Sequence, residues 1–240
     1  MAIITTENLT KVYGGRPAVD NVSITVNEGD IYGFVGRNGA GKTTVIRMLS
    51  GLASKTSGTY SLFGIPDTDP AIMSARRDMR VMVETATLHT GLTAVQNMTI
   101  QCKLLGESTD KIWDILRAVE LDDTGKKPVK NFSLGMRQRL AIAMAMIGDP
   151  KLMLLDEPTN GLDPEGIYLV RELLVKLNKE RGMTILISSH ILTELAKLAT
   201  CYGFIERGRL IKEISAAELS EQGDLEQYYL NLIGGHHETR

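Results

Sequence analysis

The sequence lacks several features that would each point to a particular class of protein. Only two cysteines, Cys102 and Cys201, occur in 240 residues, and they lie far apart. We therefore expect two reduced structural cysteines in a cytoplasmic protein, not a disulfide framework. The longest uninterrupted apolar stretch covers residues 140–147, and a membrane-spanning helix needs roughly 18 apolar residues. The amino terminus lacks the basic segment and apolar core of a secretory signal, so no signal peptide is expected.

A strong charge of either sign is also missing. There are 27 Lys and Arg residues against 29 Asp and Glu residues, which gives a formal net charge of -2. Because nucleic-acid-binding domains are usually basic, this balance predicts no nucleic-acid partner. Hydrophobic residues make up 43% of the chain and charged residues 23%, as in an ordinary globular protein of one or two domains with a large core.

The most informative stretch that is present is GRNGAGKTT, at residues 36–44. It follows an apolar run at residues 31–35 and precedes a helical pattern, so the spacing G-x-x-x-x-G-K-[ST] stands in the strand–loop–helix context that it requires. Its glycines let backbone N–H groups surround an anion, and the helix start adds the positive end of a dipole. Lys42 is expected on the outer phosphates of a nucleotide and Thr43 on magnesium. The residues predicted to bind nucleotide are Tyr13, Gly36, Arg37, Asn38, Gly39, Ala40, Gly41, Lys42, Thr43 and Thr44.

The amino-terminal half of the chain combines strand patterns with one long helical region. Residues 3–12 and 22–32 alternate apolar and polar side chains, which predicts two strands of an antiparallel opening. Shorter strands are predicted at residues 58–64 and 80–83. From residue 93 to residue 148 apolar residues recur at helical spacing, which predicts a helical subdomain inserted over about residues 88–148.

The second half alternates strands and helices, as in a doubly wound sheet. Unbroken apolar runs at residues 151–155 and 184–187 predict parallel strands buried on both faces, with an amphipathic helix at 165–180 between them. Further elements are predicted at the following positions: a helix at 191–198, a strand at 202–206, a second strand after a turn at 207–209, a helix near 225–233 and a frayed tail at 234–240.

Polar residues follow these predicted strands, and ligands of open α/β sheets bind beyond the carboxyl ends of strands. Asp156 is placed to hold magnesium and Glu157 to orient or deprotonate a water, unless the pair forms only a solvated turn. His190 either hydrogen-bonds the outer phosphate or caps the following helix. Tyr13 stands before a glycine turn, where it either stacks on a flat ring or covers the core.

Residues 132–139 read FSLGMRQR, a degenerate form of the signature LSGGQ followed by a basic-Gln-Arg triplet. In this segment the chain resembles the ABC transporter ATPases. The resemblance extends over essentially the whole chain, since Tyr13, the phosphate loop, Asp156-Glu157, the loop TNGLDP at residues 159–164 and His190 follow in family order. It implies an α/β P-loop NTPase fold over residues 1–233, with a largely parallel core sheet, an antiparallel β subdomain and an inserted helical subdomain.

The resemblance also implies ATP hydrolysis with Mg²⁺ in a head-to-tail dimer, in which the signature of one copy caps the ATP bound by the other. Ser133 and Gly135 would then present N–H groups at a helix start to the γ-phosphate. The residues implied in trans are Ser133, Leu134, Gly135 and Met136, and those implied at the dimer contact are Gly161, Leu162 and Asp163. The implied catalytic residues are Glu157 and His190, and the implied magnesium ligands are Thr43, Glu84 and Asp156.

Two departures from the family pattern bear on the site. Leu134 and Met136 replace a glycine and a glutamine of the signature, which leaves the backbone role to Ser133 and Gly135. Glu84 stands where most relatives carry a glutamine, and its negative charge beside a triphosphate is expected to alter nucleotide or metal binding.

The segment VETATLHTGLTAVQNM, at residues 83–98, resembles ATPase subunits of bacterial exporters for drugs and antimicrobial peptides, including bacitracin-resistance and lantibiotic-protection systems. This implies a peripheral subunit on the cytoplasmic face of the membrane that drives a separate permease, with no nucleic-acid partner. The alternatives are an importer ATPase and a soluble ABC-type ATPase that acts on nucleic acid or ribosomes.

Overall fold

In a computed structural model of the chain, residues 1–83 and 88–237 are described, the last four of them by backbone alone. The amino-terminal part forms a five-stranded antiparallel sheet with the order β2-β1-β5-β6, in which β3 also pairs with β1. Its strands are β1 Ala2–Tyr13, β2 Arg16–Val22, β3 Thr25–Asn27, β5 Ser57–Leu62 and β6 Ile65–Pro66. The antiparallel opening predicted from the alternating pattern is therefore confirmed.

The predicted second strand at residues 22–32 is wrong in its position. Gly14 and Gly15 both adopt positive φ angles, 53° and 77°, and they form a two-residue hairpin turn in which Tyr13 pairs with Arg16. Such turns need two residues with positive φ, which glycine adopts without strain. The chain therefore returns along β1 as early as Arg16, and residues 22–32 divide among the end of β2, the short β3 and the start of the next sheet.

A six-stranded sheet with the order β11-β10-β4-β9-β8-β7 forms the centre of the fold. Its strands are β4 Ile31–Val35, β7 Met79–Met82, β8 Leu152–Asp156, β9 Thr184–Ser189, β10 Cys201–Glu206 and β11 Arg209–Ser215. All neighbours run parallel except β10 and β11, which form an antiparallel pair. Every residue of β4, β8 and β9 is buried, which confirms the prediction of parallel strands covered on both faces.

Nine α-helices occur in the described residues, and most of them have local start or stop signals. The helices are α1 Lys42–Leu49, α2 Ile72–Ala75, α3 Ala94–Leu105, α4 Ile112–Ala118, α5 Leu134–Ala145, α6 Pro164–Arg181, α7 Leu192–Leu195, α8 Ala216–Ser220 and α9 Leu225–His237. Thr93 and Gln96 form a capping box at the start of α3, and Gly106 ends that helix with a φ of 72°. Asp163 caps α6, and Pro164 occupies its first turn.

The helical region predicted from residue 93 onward is confirmed, since α3, α4 and α5 occupy it together with short 3₁₀ turns at Asp122–Thr124 and Val129–Asn131. A further 3₁₀ turn lies at Arg76–Asp78. Helix α7 is shorter than predicted, and α9 runs four residues past the predicted end at residue 233. Helix α8 was not predicted, although Ser215 and Glu218 form a capping box at its start.

Alternate residues of the central strands enter two separate apolar cores. Ile31 and Val35 of β4 pack with the helices α3 to α7 on one face. Tyr32 and Phe34 of the same strand pack with α1 and the antiparallel sheet on the other. This alternation follows from the two-residue repeat of a strand, and it places β4 between the two cores.

Both cysteines are free thiols, as expected. Burial, assisted by the nearby Asp30 carboxylate, raises the pKa of the Cys201 thiol to about 12, so this side chain stays protonated and unreactive near neutral pH. Of the helices in the described ranges, none is both long and apolar enough to cross a membrane.

Candidate functional site

The predicted phosphate loop connects the end of β4 to the start of α1, and it lies against the backbone of Ala18 and Ile205. Gly39 and Gly41 have φ angles of 81° and 110°, in the left-handed region that favours glycine. A Cβ atom on Gly36 would collide with the carbonyl oxygen of Ile205, and one on Gly41 would lie 2.6 Å from the carbonyl oxygen of Ala18. The loop therefore needs glycine at these positions, both for its conformation and for its fit.

Lys42 lies within the loop that precedes it and is only 4% exposed. Its Nζ donates hydrogen bonds to the carbonyl oxygens of Gly36 at 2.6 Å and Arg37 at 3.2 Å. The same atom lies 3.4 Å from Oε1 of Glu157. The ammonium group is thus held at the centre of the loop by two carbonyls and one carboxylate, where it can meet an anion.

Asp156 ends β8 and is 6% exposed. Its Oδ2 accepts a hydrogen bond of 2.6 Å from the Thr43 hydroxyl, and its Oδ1 accepts one of 2.6 Å from the Ser188 hydroxyl. Ser188 is paired directly with Asp156 across the parallel strands β8 and β9. Because both carboxylate oxygens are bonded and the side chain is buried, the alternative of a merely solvated turn is wrong.

Glu157 follows with a φ of 47°, a conformation that is rare outside glycine. Its N–H group points at the carbonyl oxygen of Ser188 at 3.2 Å and the hydroxyl oxygen at 3.0 Å. Its Oε2 lies 3.0 Å from Nδ1 of His190. No side-chain hydrogen bond caps the start of α7, so the capping alternative for His190 is wrong and this ring belongs to the carboxylate cluster.

These contacts confirm that three distant segments meet at one edge of the sheet. Val35 at the end of β4 pairs with Ser189 of β9, and Asp156 of β8 pairs with Ser188. Tyr13 lies elsewhere, at the end of β1, where its ring is 50% exposed and Lys11 Nζ lies 4.8 Å from the ring centroid. The alternative in which Tyr13 covers the core is therefore wrong.

The signature residues form a second cluster with the loop that begins α6. Ser133 caps α5, since its Oγ accepts a hydrogen bond of 3.2 Å from the N–H of Met136. Leu134 is 40% exposed and packs over Gly161, where an added Cβ would lie 3.3 Å from its Cδ2. Gly135 lies beside Leu162 and Gly166. Within the described residues, no hydrogen bond or ion pair joins either segment to the phosphate loop.

Two features of the site were not predicted. Ser188 links the Asp156 carboxylate to the backbone N–H of Glu157, and its only signal in the sequence is a polar side chain at the end of an apolar run. Tyr229, on α9, lines an open cavity of about 220 Å³ beside the phosphate loop. The cavity is lined by Val35, Gly36, Arg37, Asn38, His190, Leu192 and Tyr229. Glu84, a predicted metal ligand, lies outside the described residues.

Comparison with known proteins assigns this geometry to a family. The family model described as ABC transporter matches residues 19–160, more than half of the chain. The chain belongs to the ABC transporter ATP-binding family. It is accordingly an ATP-hydrolysing cassette with the P-loop NTPase fold, as the resemblance of its motifs predicted.

Two relatives with names that state a substrate are similar over most of the chain. The bacitracin transport ATP-binding protein BcrA of Bacillus licheniformis is 47% identical, over 92% of this chain and 72% of its own length. The lantibiotic transport ATP-binding protein SrtF of Streptococcus pyogenes is 44% identical, over 95% of this chain and 96% of its own.

Solved structures of ABC cassettes share the fold. The ADP conformation of the ATP-binding cassette MJ1267 has a TM-score of 0.82 at 26% identity and covers 95% of this chain and 98% of its own. The dimeric cassette MJ0796, in a post-hydrolysis state with ADP and Pi, has a TM-score of 0.78 at 25% identity and covers 89% and 98%. ABC cassettes thus bind adenine nucleotides, and some of them are dimeric.

Proposed function

We propose that this chain is the ATPase subunit of a bacterial exporter and that it drives a drug, an antimicrobial peptide or a similar amphiphile through a separate membrane permease. It would act on the cytoplasmic face of the membrane, held there by the permease. The observation that carries the proposal is the identity of 44 to 47% to the lantibiotic and bacitracin transport ATP-binding proteins. The connected cluster of Lys42, Asp156, Glu157 and His190 supports it.

The phosphate-loop side of the site is suited to a nucleotide with its metal. Backbone N–H groups of the loop and the start of α1 would bind the phosphates, and the Lys42 ammonium would bind the outer ones. The Thr43 hydroxyl and the Asp156 carboxylate, 2.6 Å apart, are hard oxygen donors of the kind that Mg²⁺ prefers. When bound, the metal would neutralise charge that develops on the phosphates. Glu84 is proposed as a further ligand by resemblance.

Glu157 and His190 would supply the catalytic groups. Glu157 would orient or deprotonate the attacking water, because its carboxylate lies between Lys42 and His190 at the edge where the phosphates end. His190 would hydrogen-bond the outer phosphate. Tyr13 would stack on the adenine, as the family resemblance implies, and its side chain is half exposed at the end of β1.

The signature cluster would complete the site of a second copy. Leu134, Gly135 and Met136 follow the cap Ser133 in the first turn of α5. Leu134 and Gly135 lie against Gly161 and Leu162, which precede Asp163, the cap of α6. In a head-to-tail dimer this surface would face the partner's nucleotide, with free N–H groups and the positive end of the helix dipole. The dimeric MJ0796 cassettes support this arrangement.

The decisive experiment compares hydrolysis and binding in Glu157→Gln. We expect the rate to fall about 10²-fold to 10⁴-fold, the usual contribution of a general base, while a fluorescent ATP analogue still binds. Glu180→Gln is the matched control, since Glu180 is exposed near the end of α6. A purified chain that neither binds ATP nor loses hydrolysis on Glu157→Gln would contradict the proposal.

Isolation of the native complex tests the transport part of the proposal. We expect a polytopic membrane protein to co-purify with the chain, because the relatives that are 44 to 47% identical to it are named as transport ATP-binding proteins. Recovery of ribosomes or DNA in its place would favour the soluble ABC-type alternative. Linkage of the gene to one for a substrate-binding protein would favour an importer.

A further inference from the structure

We propose that Ser188 is a positioning residue that sets the orientation of both carboxylates of the site, Asp156 and Glu157. The inference rests on the proposed function, in which these two side chains hold the metal and the water. Ser188 itself would touch neither nucleotide nor metal. It is fully buried near the end of β9, directly opposite Asp156.

The Ser188 hydroxyl uses its donor and its acceptor on different partners. It donates to Oδ1 of Asp156 at 2.6 Å and accepts from the N–H of Glu157 at 3.0 Å. The other oxygen of Asp156, Oδ2, accepts from Thr43 at 2.6 Å. Each oxygen of the Asp156 carboxylate therefore accepts one short hydrogen bond. Rotation of the carboxylate about its Cβ–Cγ bond would break at least one of these two hydrogen bonds to an ionised group.

The same hydroxyl supports the unusual backbone of Glu157. A φ of 47° for a residue other than glycine costs free energy and persists only where surrounding contacts hold it. Both N–H contacts of Glu157 go to Ser188, one to the hydroxyl and one to the carbonyl oxygen at 3.2 Å. With this backbone, Oε1 of Glu157 lies 3.4 Å from Lys42 and Oε2 lies 3.0 Å from His190.

A second buried hydroxyl on the same strand offers a matched control. Thr184 begins β9, is fully buried, and accepts a hydrogen bond of 2.9 Å from the N–H of Gly29. It lies at the opposite end of the strand from the carboxylates. Loss of either hydroxyl leaves a buried or partly buried group unpaired and costs stability. Only the loss of the Ser188 hydroxyl should also weaken metal binding.

The test is Mn²⁺ binding in the presence of ADP, followed by electron paramagnetic resonance, on the full chain. We expect Ser188→Ala to weaken Mn²⁺ affinity about 10-fold, as is usual when a residue that orients a metal ligand is lost. Thr184→Val should leave Mn²⁺ affinity unchanged while it lowers the thermal midpoint. Ser188→Thr, which keeps the hydroxyl on a strand-favouring residue, should restore most of the affinity.

Equal Mn²⁺ affinities in Ser188→Ala and the wild type would overturn the inference, as would an equal loss in Thr184→Val. If Ser188→Ala does not fold, Ser188→Cys carries the same expectation, since a thiol is a weak donor and acceptor. A wild-type chain that binds Mn²⁺ with ADP but hydrolyses no ATP would contradict the proposed function and leave this comparison valid. Normal hydrolysis by the wild type with unaltered affinity in Ser188→Ala would overturn only the role of Ser188.

Discussion

Two clusters of the molecule differ in how much of a site each forms within one chain. The phosphate-loop cluster comprises Lys42, Asp156, Glu157 and His190, and the signature cluster comprises Ser133, Leu134, Gly135 and Met136. In the first, Lys42 and Asp156 are almost fully buried, and both are bonded to other residues of the site. In the second, Leu134 is 40% exposed, and within the described part of the chain the Ser133 hydroxyl bonds only to its own helix start. One chain therefore holds an organised phosphate site, and it displays on another surface the segment that would complete a second site.

This difference follows from the cost of burying polar groups. Buried ammonium and carboxylate groups are stable only when they are paired, so the phosphate-loop side must be organised before a nucleotide arrives. N–H groups at an exposed helix start can be satisfied by water and exchanged for a phosphate later. Substitutions in the two clusters should therefore have different effects. A change in the signature cluster should lower ATP hydrolysis, and the loss of Lys42 should lower nucleotide affinity.

The largest difference is expected from Gly135→Asp. A carboxylate at the start of α5 would repel the partner's phosphates, and we expect hydrolysis to fall about 10³-fold, the lower range for groups supplied in trans. Nucleotide affinity of the isolated chain should not change. Gly135→Ala is the control, since an added Cβ would meet nothing closer than 3.6 Å. A parallel loss of nucleotide affinity in Gly135→Asp would contradict the separation of the two regions.

A smaller effect, on nucleotide affinity and not on the hydrolysis step, is expected from Lys42→Ala. Loss of a charged hydrogen-bond donor should weaken nucleotide affinity about 10-fold to 100-fold, as measured by titration with a fluorescent ATP analogue. Lys55→Ala is the control, because Lys55 pairs with Asp67 at 2.6 Å, in the region of the antiparallel sheet. Nucleotide affinity that survives in Lys42→Ala would show that the loop is not the organised half of the site.

The smallest effect is expected within the loop, in the stability of the nucleotide-free chain. Gly41→Ala combines a φ of 110° with a contact of 2.6 Å to Ala18, whereas Gly39→Ala has a φ of 81° and open space. We expect losses in the free energy of unfolding of about 3 kcal/mol and about 1 kcal/mol respectively, measured by chemical denaturation. Equal losses would indicate that the loop is not packed tightly without nucleotide.

The sequence predicted the parts of the site that depend on local patterns. The phosphate loop, the apolar runs before Asp156 and His190, and the helical spacing after residue 93 each act over a short stretch. Their meeting at one edge follows from parallel strands, whose carboxyl ends lie together. The signature segment was recognised by resemblance, because its residues alone would predict only a capped helix.

The rest depends on pairings between distant residues. The contact of Ser188 with Asp156 requires the register of β8 against β9, which no local pattern specifies. The position of Tyr229 beside the phosphate loop depends on how α9 packs. The prediction of a strand at residues 22–32 was wrong for a local reason. The hairpin turn at Gly14 and Gly15 starts β2 at Arg16, earlier than the alternating pattern suggested.

The central claim, that two copies share each hydrolytic site, is tested most directly by mixing two inactive variants. Glu157→Gln keeps its signature segment, and Gly135→Asp keeps its phosphate loop and Glu157, so a mixed dimer contains one site with both intact halves. We predict that each variant alone is inactive and that their mixture regains measurable ATP hydrolysis. A mixture that stays as inactive as its components, although mixed dimers form, would contradict the account.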